Sequence, residues 1–404
     1  MYYVMLCLLL AASSSGVPLD RYSTKGQHKV LLISFDGFRW DYDRNVDTPN
    51  LDTMAKDGVK ARYVTPPYLT ITSPTHFTLL TGTYCRSIPS EKLPYYATQF
   101  KNEWAGSLHF PGTQSTYQGE TQTTKWKENV EKMMSTWFSE MDLDFVSLYF
   151  GEPDSTGHKY GPDSPERREM VKQVDRTVGY IRSLAEQNGL ADSLNIIITA
   201  DHGMSNVYRN GLVKEITLSR IPGFAFRDIA FHLVDFGPSG MLLPKKGMLD
   251  KVYDALKGAH PHLHVFKKEE MPKRLHFATA SYPSFSSLTL DMSSTGWVHM
   301  QFNAGEHGFD NEEMDMKPFF RAVGPACQKN LEVGPFETVN IYPLMCHILG
   351  IKPDPNCGHL DGQRPMFCML AELRIDLNLF QVLLLIVVSG ILTLQRPSWI
   401  TWYR

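Results

Sequence analysis

Three short segments of this chain are almost continuously apolar, and each leads into acidic or imidazole side chains. They cover residues 29–35, 144–150 and 195–200. Apolar runs of this length without polar alternation are typical of strands that are buried on both faces of a parallel sheet. The pattern therefore predicts three central strands with polar residues at their ends.

Segments with the apolar spacing of helices lie between and around these three strands. A helix is predicted to begin with Ser164 as its cap and Pro165 in its first turn, and to end at residues 188–189, Asn-Gly. A second is predicted from Thr48, as cap, to Gly58, and others are predicted over 248–257 and 339–349. Strand–helix–strand order predicts an α/β fold, with a mostly parallel central sheet and helices on both faces. The mixed region 215–302 is expected to belong to the same domain.

Both ends of the chain have the hydropathy of sorting segments. Residues 2–12 are apolar and run into small residues, which predicts a signal peptide over 1–16; a buried strand is the alternative. Residues 377–394 contain no charged side chain, and at about 1.5 Å per residue they suit a C-terminal transmembrane helix. We therefore predict an extracellular domain over 17–370, a single-pass type I anchor in the plasma membrane over 377–394, and a cytoplasmic tail over 395–404.

Composition and net charge indicate a folded protein that does not bind nucleic-acid polymers. The chain has 404 residues, of which 43% are hydrophobic and 21% charged, as in ordinary folded proteins. Its formal net charge is -3, which argues against a nucleic-acid polymer as partner, because backbone phosphates are bound by concentrated positive charge. Nothing in the sequence indicates an obligate protein partner.

Side chains of metal-ligand type follow the predicted strands or lie in loops. Ligands of open α/β sheets bind beyond the carboxyl ends of the strands, so the residues that follow the three strands should meet at one edge. Each residue alone has an ordinary explanation, as a turn or a solvated loop residue. Together they exceed what one tetrahedral site uses and predict two Zn²⁺ ions. The candidate ligands are Asp36, Thr72, Asp154, His158, Asp201, His202 and His307.

Thr72 is the predicted nucleophile. It begins a predicted helix with Pro74 in the first turn, where free backbone N–H groups would face a transferring phosphoryl group. A threonine hydroxyl is a weak nucleophile, and metal coordination is one way to activate it. The spacing leaves Thr70, Ser73 and Thr75 as alternative hydroxyls, and Thr72 and Ser73 could instead be ordinary N-caps.

Six stretches of the chain resemble the ectonucleotide pyrophosphatase/phosphodiesterase family of the alkaline-phosphatase superfamily. They are FDGFRWDY, DTPNLDTMAKDGVKARYVTP, TSPTHFTLLTGTY, YFGEPDSTGHKYGP, TADHGM and GEHGFDNEEMDMKPFFRAVGP, within about residues 29–360. The resemblance implies an alkaline-phosphatase-like fold. It also implies one zinc ion held by Asp36, Thr72, Asp201 and His202, and another held by Asp154, His158 and His307.

The resemblance further implies an activity and a substrate. The expected enzyme is a zinc-dependent phosphodiesterase of phospholipase C type, which cuts the choline phospholipid sphingomyelin to ceramide and phosphocholine through a phospho-threonine intermediate. Tyr149, Phe150 and Tyr160 could cage a choline cation, or could be core residues. Family members that cleave nucleotides share the metal set, so a nucleotide or glycerophosphocholine phosphodiesterase is the alternative.

The sequence departs from the family pattern after Tyr84. Family members there carry a segment with an Asn that donates a hydrogen bond to the phosphoryl oxygens. This chain instead continues with CRSIPSEKLPYY, which contains no Asn. The region 85–153 is also shorter than the corresponding region of the family. Loss of one preorganised hydrogen-bond donor to the reacting oxygens commonly lowers kcat by about 10²–10³-fold. We therefore expect reduced activity, and a catalytically impaired membrane-anchored variant is a further alternative.

Overall fold

The computed structural model describes residues 28–84, 105–108, 125–207, 216–236, 238–277, 286–290 and 303–360. The helices there are α1 Pro49–Asp57, α2 Thr72–Thr81, α3 Lys125–Lys132 (continued by a π-helical segment, Met133–Glu140), α4 Asp154–Tyr160, α5 Pro165–Gln187, α6 Leu249–Leu256 and α7 Ile341–Leu349. The strands are β1 Lys29–Phe35, β2 Val59–Ala61, β3 Val64–Thr65, β4 Ala105–Leu108, β5 Phe145–Phe150, β6 Leu194–Thr199, β7 Ser205–Asn206, β8 Ile229–Phe236, β9 Ser239–Pro244, β10 Leu263–Lys267, β11 Ser286–Leu290, β12 Gly305–Glu306, β13 Phe320–Val323, β14 Leu331–Val333 and β15 Phe336–Glu337.

A seven-stranded mixed sheet forms the centre of the protein. Its strand order is β14-β2-β13-β6-β1-β5-β4. Strand β1 lies between β5 and β6 and is parallel to both, and β4 is parallel to β5. Strand β13 runs antiparallel to β6 and β2. The predicted central strands and the mostly parallel sheet are confirmed.

Helices cover both faces of this sheet, as predicted. Every residue of β1 is buried, and its side chains alternate between two apolar clusters. Leu31 and Ile33 pack with residues of α1 and α5, whereas Val30 and Leu32 pack with residues of α2 and α7. A strand that is enclosed on both sides can be apolar at every position, which explains why its sequence shows no alternation.

The helices begin where the sequence predicts, but one of the two predicted cap side chains makes no capping hydrogen bond. Ser164 Oγ accepts a hydrogen bond from the Arg167 N–H at 3.1 Å, as expected of an N-cap. Thr48 occupies the predicted N-cap position of α1, but its side chain makes no capping bond. The Leu51 N–H instead donates to Asp175 Oδ1 of α5 at 2.8 Å. A carboxylate from another helix thus takes the place of the local cap.

Strands β8, β9, β10 and β11 form a second sheet. Its four antiparallel strands have the order β10-β11-β9-β8, and α6 packs on one face around Leu242 and Val252. At one end of β9, Ser239 Oγ donates to the carbonyl oxygen of Gly308 at 2.6 Å. That bond joins the second sheet to the loop that carries His307. The single-domain boundaries 17–370 stay a prediction.

The predicted sorting segments fall outside the described residues. These are the signal peptide over 1–16, the anchor over 377–394 and the tail over 395–404, and all three stay predictions. Within the described ranges, no helix has both the length and the apolar character that a membrane crossing requires.

Candidate metal centre

Three adjacent strands deliver the predicted ligands to one edge of the sheet. Asp36 directly follows β1, Asp154 begins α4 after β5, and Asp201 with His202 follows β6. The Asp154 N–H donates to the carbonyl oxygen of Asp36 at 3.0 Å. Because β1 lies between β5 and β6, the three chain segments emerge side by side, as the strand pattern predicts.

Two glycines allow these segments to approach closely. Gly37 has a φ of +66°, and a Cβ there would lie 2.9 Å from Asp154 Cα. Its N–H donates to Asp201 Oδ1 at 3.1 Å. At Gly203, a Cβ would lie 2.0 Å from the carbonyl oxygen of Asp315, so only glycine allows this close approach. A side chain at Gly37 would displace Asp154, and one at Gly203 would push apart the Asp315 segment and the turn that carries His202.

The first group of ligand atoms surrounds the His202 ring. His202 Nε2 lies 3.4 Å from Asp36 Oδ1 and 3.3 Å from Asp201 Oδ2, and 3.3 Å from Thr72 Oγ1. Its Nδ1 lies 2.8 Å from the carbonyl oxygen of Gly203. A carbonyl oxygen only accepts, so Nδ1 carries the ring proton and the Nε2 lone pair points at the carboxylates.

The second group repeats this arrangement. His158 Nε2 lies 3.4 Å from Asp154 Oδ2, and its Nδ1 lies 2.9 Å from the carbonyl oxygen of Gly305. His307 Nε2 lies 3.7 Å from Asp154 Oδ1, and its Nδ1 lies 2.9 Å from the carbonyl oxygen of Thr70. Three imidazoles therefore each have Nδ1 fixed by a backbone carbonyl and Nε2 presented to carboxylates, the usual orientation of metal-binding histidines.

Asp154 connects the two groups. Ligand atoms of Asp154, His158 and His307 lie within 4.8 Å of one another, and so do those of Asp36, Asp154 and His202. The family resemblance places Asp154 with the second ion alone. In the structure, its carboxylate lies between the two groups of donors.

Each of the three strand-end carboxylates has one buried oxygen without a hydrogen-bond partner within the described residues. Asp36 Oδ1, Asp154 Oδ1 and Asp201 Oδ2 are buried and have no hydrogen-bond partner within the described residues. Burial, and then the charge of Asp201, raises the pKa of Asp36 well above its usual value. Burial also raises the pKa of Asp154, and that of Asp201 to about 6. Divalent cations would satisfy these oxygens, so the residues present fit a metal centre.

Burial holds two of the three imidazoles, those of His202 and His307, in the neutral form that binds metals. Burial lowers the pKa of His202 to about 3. Burial, followed by the proximity of His202 and His158, lowers the pKa of His307 well below its usual value. Burial also acts to lower the pKa of His158, but the charges of Asp154 and Glu306 outweigh it and the net shift is upward. Neutral nitrogen and ionised oxygen donors together are the ligand type of zinc.

The structure separates Thr72 from its rival hydroxyls. Thr72 is the first residue of α2, and Ile71 occupies the N-cap position, so neither Thr72 nor Ser73 caps the helix. The Thr70 hydroxyl donates to the Phe309 carbonyl at 2.9 Å. Thr75 Oγ1 is buried without a hydrogen bond among the described residues, and Ser73 is exposed. Among these hydroxyls, that of Thr72 is the one hydrogen-bonded to a candidate ligand.

Two residues behind the ligands were not predicted to have this role. The Tyr149 hydroxyl donates to Asp36 Oδ2, and His76 Nδ1 lies 2.7 Å from the Thr72 carbonyl oxygen. From the sequence, Tyr149 was a candidate only for a choline cage or for the core, and its position at the end of β5 was the available signal. Of the other two cage candidates, Phe150 stacks on Phe35 in the core, and Tyr160 is 44% exposed.

Comparison with known proteins places these features in a family context. A family model described as type I phosphodiesterase/nucleotide pyrophosphatase matches residues 30–88 and 91–312. Human ectonucleotide pyrophosphatase/phosphodiesterase family member 7 is 50% identical over 412 residues, which is 90% of this chain and 89% of that protein. The rat member 7 is 48% identical over 433 residues, 96% of each protein.

A solved structure has the same fold. Murine ectonucleotide pyrophosphatase/phosphodiesterase 5, described as an inactive threonine-to-alanine variant in complex with AMP, matches with a TM-score of 0.74 and 30% identity. The match covers 84% of this chain and 100% of that one. Together with the family model, it confirms the expected alkaline-phosphatase-like α/β fold.

The comparisons also bear on the departure after Tyr84. The family match is interrupted between residues 88 and 91, and the rat alignment spans 433 positions although this chain has 404 residues. This chain therefore has no residue at some aligned positions. The segment in question, residues 85–104, lies outside the described residues.

Proposed function

This chain belongs to the type I phosphodiesterase/nucleotide pyrophosphatase family, and on that basis we propose that it is a zinc-dependent phosphodiesterase of phospholipase C type. The proposed reaction converts sphingomyelin to ceramide and phosphocholine. The proposed place of action is the outer surface of the plasma membrane, with the domain held by the predicted anchor.

One observation carries the metal-dependent part of the proposal. Three imidazoles have Nδ1 fixed by backbone carbonyls, and their Nε2 atoms lie 3.3–3.7 Å from carboxylate oxygens. Without a cation, lone pairs and negative charges would face one another in a buried space, which is unfavourable. We assign Asp36, Thr72, Asp201 and His202 to one zinc ion. Asp154, His158 and His307 are assigned to the other.

Thr72 is the proposed nucleophile. When bound, the ions supply positive charge for the phosphoryl oxygens and for the leaving oxygen. Thr72 Oγ1 forms a bond to phosphorus, and the bond between phosphorus and the ceramide oxygen breaks. Ceramide leaves as its alcohol after taking up a proton, and phosphocholine remains esterified to Thr72. Water then hydrolyses this ester and restores the hydroxyl.

The start of α2 supports this role for Thr72. The first N–H groups of a helix have no intrahelical acceptor and carry partial positive charge, so they favour a phosphoryl group beside Thr72. His76 holds the backbone at this point through the Thr72 carbonyl. A solved relative that is described as inactive carries a threonine-to-alanine substitution, which also supports a threonine as an essential residue.

Two alternatives have their own support. A nucleotide phosphodiesterase is supported by the AMP complex of the murine relative, and the metal centre alone does not select between head groups. A catalytically impaired variant is supported by the interruption of the family match between residues 88 and 91. The sphingomyelin assignment follows from the motif resemblance.

The test is turnover by the purified extracellular domain, residues 17–370. Phosphocholine release from sphingomyelin and AMP release from a nucleotide diester are measured before chelation, after chelation and after zinc is restored. The proposal expects chelator-sensitive, zinc-restored release of phosphocholine that exceeds the release of AMP. Preferred nucleotide cleavage would support the first alternative, and zinc binding without any turnover would support the second.

A further inference from the structure

The second sheet has one face that the α6 cluster does not cover. Tyr68 contacts Ser239 at one end of this face and packs with Phe266 of β10, so the surface of interest is its β8–β9 part. On β9, Leu242 is completely buried in the cluster with α6, so Met241 and Leu243 point to the opposite face. Both are only partly buried. Phe231 of β8 lies directly across from Leu243 in the antiparallel ladder and is 52% exposed. The ladder is irregular between Ile229 and Phe231, but a phenylalanine this exposed on a strand is still a surface feature that needs an explanation.

This face leads to the candidate metal centre. Ser239 shares the face of Met241 and Leu243, and its hydroxyl donates to the carbonyl oxygen of Gly308, the residue after His307. From Ser239 to Leu243 the strand advances about 13 Å. An apolar strip of three side chains, Met241, Leu243 and Phe231, therefore extends from the metal-ligand loop to the outer end of the second sheet.

Positive charge lies at the outer end of this strip. Lys245 and Lys246 follow β9 and are exposed, as is Arg227, which precedes β8. The Lys245 N–H donates to the carbonyl oxygen of Asp228 at 2.8 Å, which places the two chain segments side by side. The Asp228 carboxylate is itself paired with Lys251 at 2.8 Å. The Asp228 carboxylate also interacts with the charges of Arg227 and Lys245. One carboxylate thus lies among four cations, Arg227, Lys245, Lys246 and Lys251, and the local charge is positive.

We propose that the β8–β9 face is a membrane-docking surface, on which the extracellular domain rests against a phospholipid bilayer. The apolar strip would enter the interfacial region, and Arg227, Lys245 and Lys246 would contact lipid phosphates. Exposed aromatic and aliphatic groups beside basic ones are the chemistry that such an interface favours. This inference rests on the proposed phospholipid substrate, because the strip ends at the metal centre and would bring it close to the lipid surface.

The test separates docking from catalysis. Sedimentation with phosphatidylcholine vesicles, with and without phosphatidylserine, measures binding of the 17–370 domain carrying Thr72→Ala, so that no lipid is consumed. Phe231→Asp should weaken binding about tenfold, because it replaces an exposed aromatic side chain that would enter the lipid interface with a charge. Lys245→Glu combined with Lys246→Glu should weaken binding at least tenfold in the serine-lipid vesicles, and much less at high salt.

Matched controls and a soluble substrate complete the design. Met141→Asp changes a side chain that is 49% exposed elsewhere on the protein, and should leave vesicle binding within twofold. When Thr72 is left unchanged, Phe231→Asp should lower turnover of vesicle sphingomyelin at least tenfold. It should lower turnover of water-soluble p-nitrophenyl phosphocholine less than twofold. Vesicle binding that is equal for Phe231→Asp and Met141→Asp would overturn the docking surface. Absence of turnover on both substrates, with vesicle binding still sensitive to Phe231, would overturn the proposed function and leave the surface standing.

Discussion

The rings of His202 and His307 lie face to face, with centroids 3.6 Å apart and planes 15° apart. They come from the loop after β6 and the loop after β12. Two protonated imidazoles would repel strongly at this separation, and burial lowers the pKa of both. The stacked pair therefore presents two neutral Nε2 atoms to carboxylates, one in each group of ligands.

Metal content should respond differently to the ligands. The 17–370 domain is expected to hold about two zinc ions, since the donors exceed one tetrahedral site. His158→Ala should lower the content by about one ion. Asp154→Ala should lower it further, because its carboxylate lies within both donor groups. Elemental analysis after dialysis measures this, with Asp250→Ala, an exposed carboxylate, as the control. Equal losses for Asp154→Ala and His158→Ala would show that Asp154 serves one ion only.

Removal of the Thr72 hydroxyl should abolish turnover. Thr72→Ala is expected to lower kcat by about 10³-fold or more, as for loss of a covalent nucleophile. The unfolding midpoint should change little, because the hydroxyl does not cap α2. Ser73→Ala, one residue away and exposed, is the control and should retain activity. Steady-state kinetics with circular dichroism distinguish the two variants. If Ser73→Ala is the inactive one, the nucleophile has been misassigned.

Tyr149 should tighten metal binding from behind the ligands. Its hydroxyl donates to Asp36 Oδ2, and Tyr149→Phe removes that bond while the ring stays. Loss of such an outer hydrogen bond typically costs about 10–100-fold in metal affinity. Competition with a chromogenic chelator measures the affinity. Tyr180→Phe, which removes a surface hydroxyl bonded to Glu131, should leave it unchanged. Unaltered zinc affinity in Tyr149→Phe would show that Asp36 needs no such support.

A methyl group at position 203 should disturb both stability and the metal centre. The Cβ of Gly203→Ala would fall 2.0 Å from the Asp315 carbonyl oxygen, so one of the two chain segments must move. We expect a loss of about 1–3 kcal/mol in the free energy of unfolding, with reduced zinc content because His202 is adjacent. Gly334→Ala, where nothing lies within 4 Å, is the matched control. Denaturant titration that gives the same stability for both variants would contradict this expectation.

The segment after Tyr84 should limit the rate of this chain. Without the Asn donor, turnover is expected to be about 10²-fold or more below that of related enzymes. Inserting the Asn-containing segment of a relative between Tyr84 and Lys92 should raise kcat more than it changes KM, because the bond strengthens in the transition state. Insertion of a Gly/Ser segment of equal length is the control. Turnover by the natural chain at a relative's rate would disprove this deficit.

Much of the fold could be predicted from the sequence because local patterns determine it. β1 covers residues 29–35 as predicted, since a strand enclosed on both faces is apolar throughout. Ser164 and Pro165 begin α5 as expected, because caps and first-turn prolines act within one turn. Asp36, Asp154, Asp201 and His202 meet at one edge because each follows a strand of the same parallel group.

The tertiary structure decided what depends on contacts between distant residues. Thr48 precedes α1, yet the bond that caps the first turn comes from Asp175, more than a hundred residues away. Thr72 is distinguished from its neighbouring hydroxyls by its contact with His202, which the sequence does not show. The orientation of each imidazole is fixed by a carbonyl group, such as that of Thr70 for His307. A sequence pattern records which side chains are present, but only packing fixes which lone pair faces which atom, and that geometry makes these residues a metal centre.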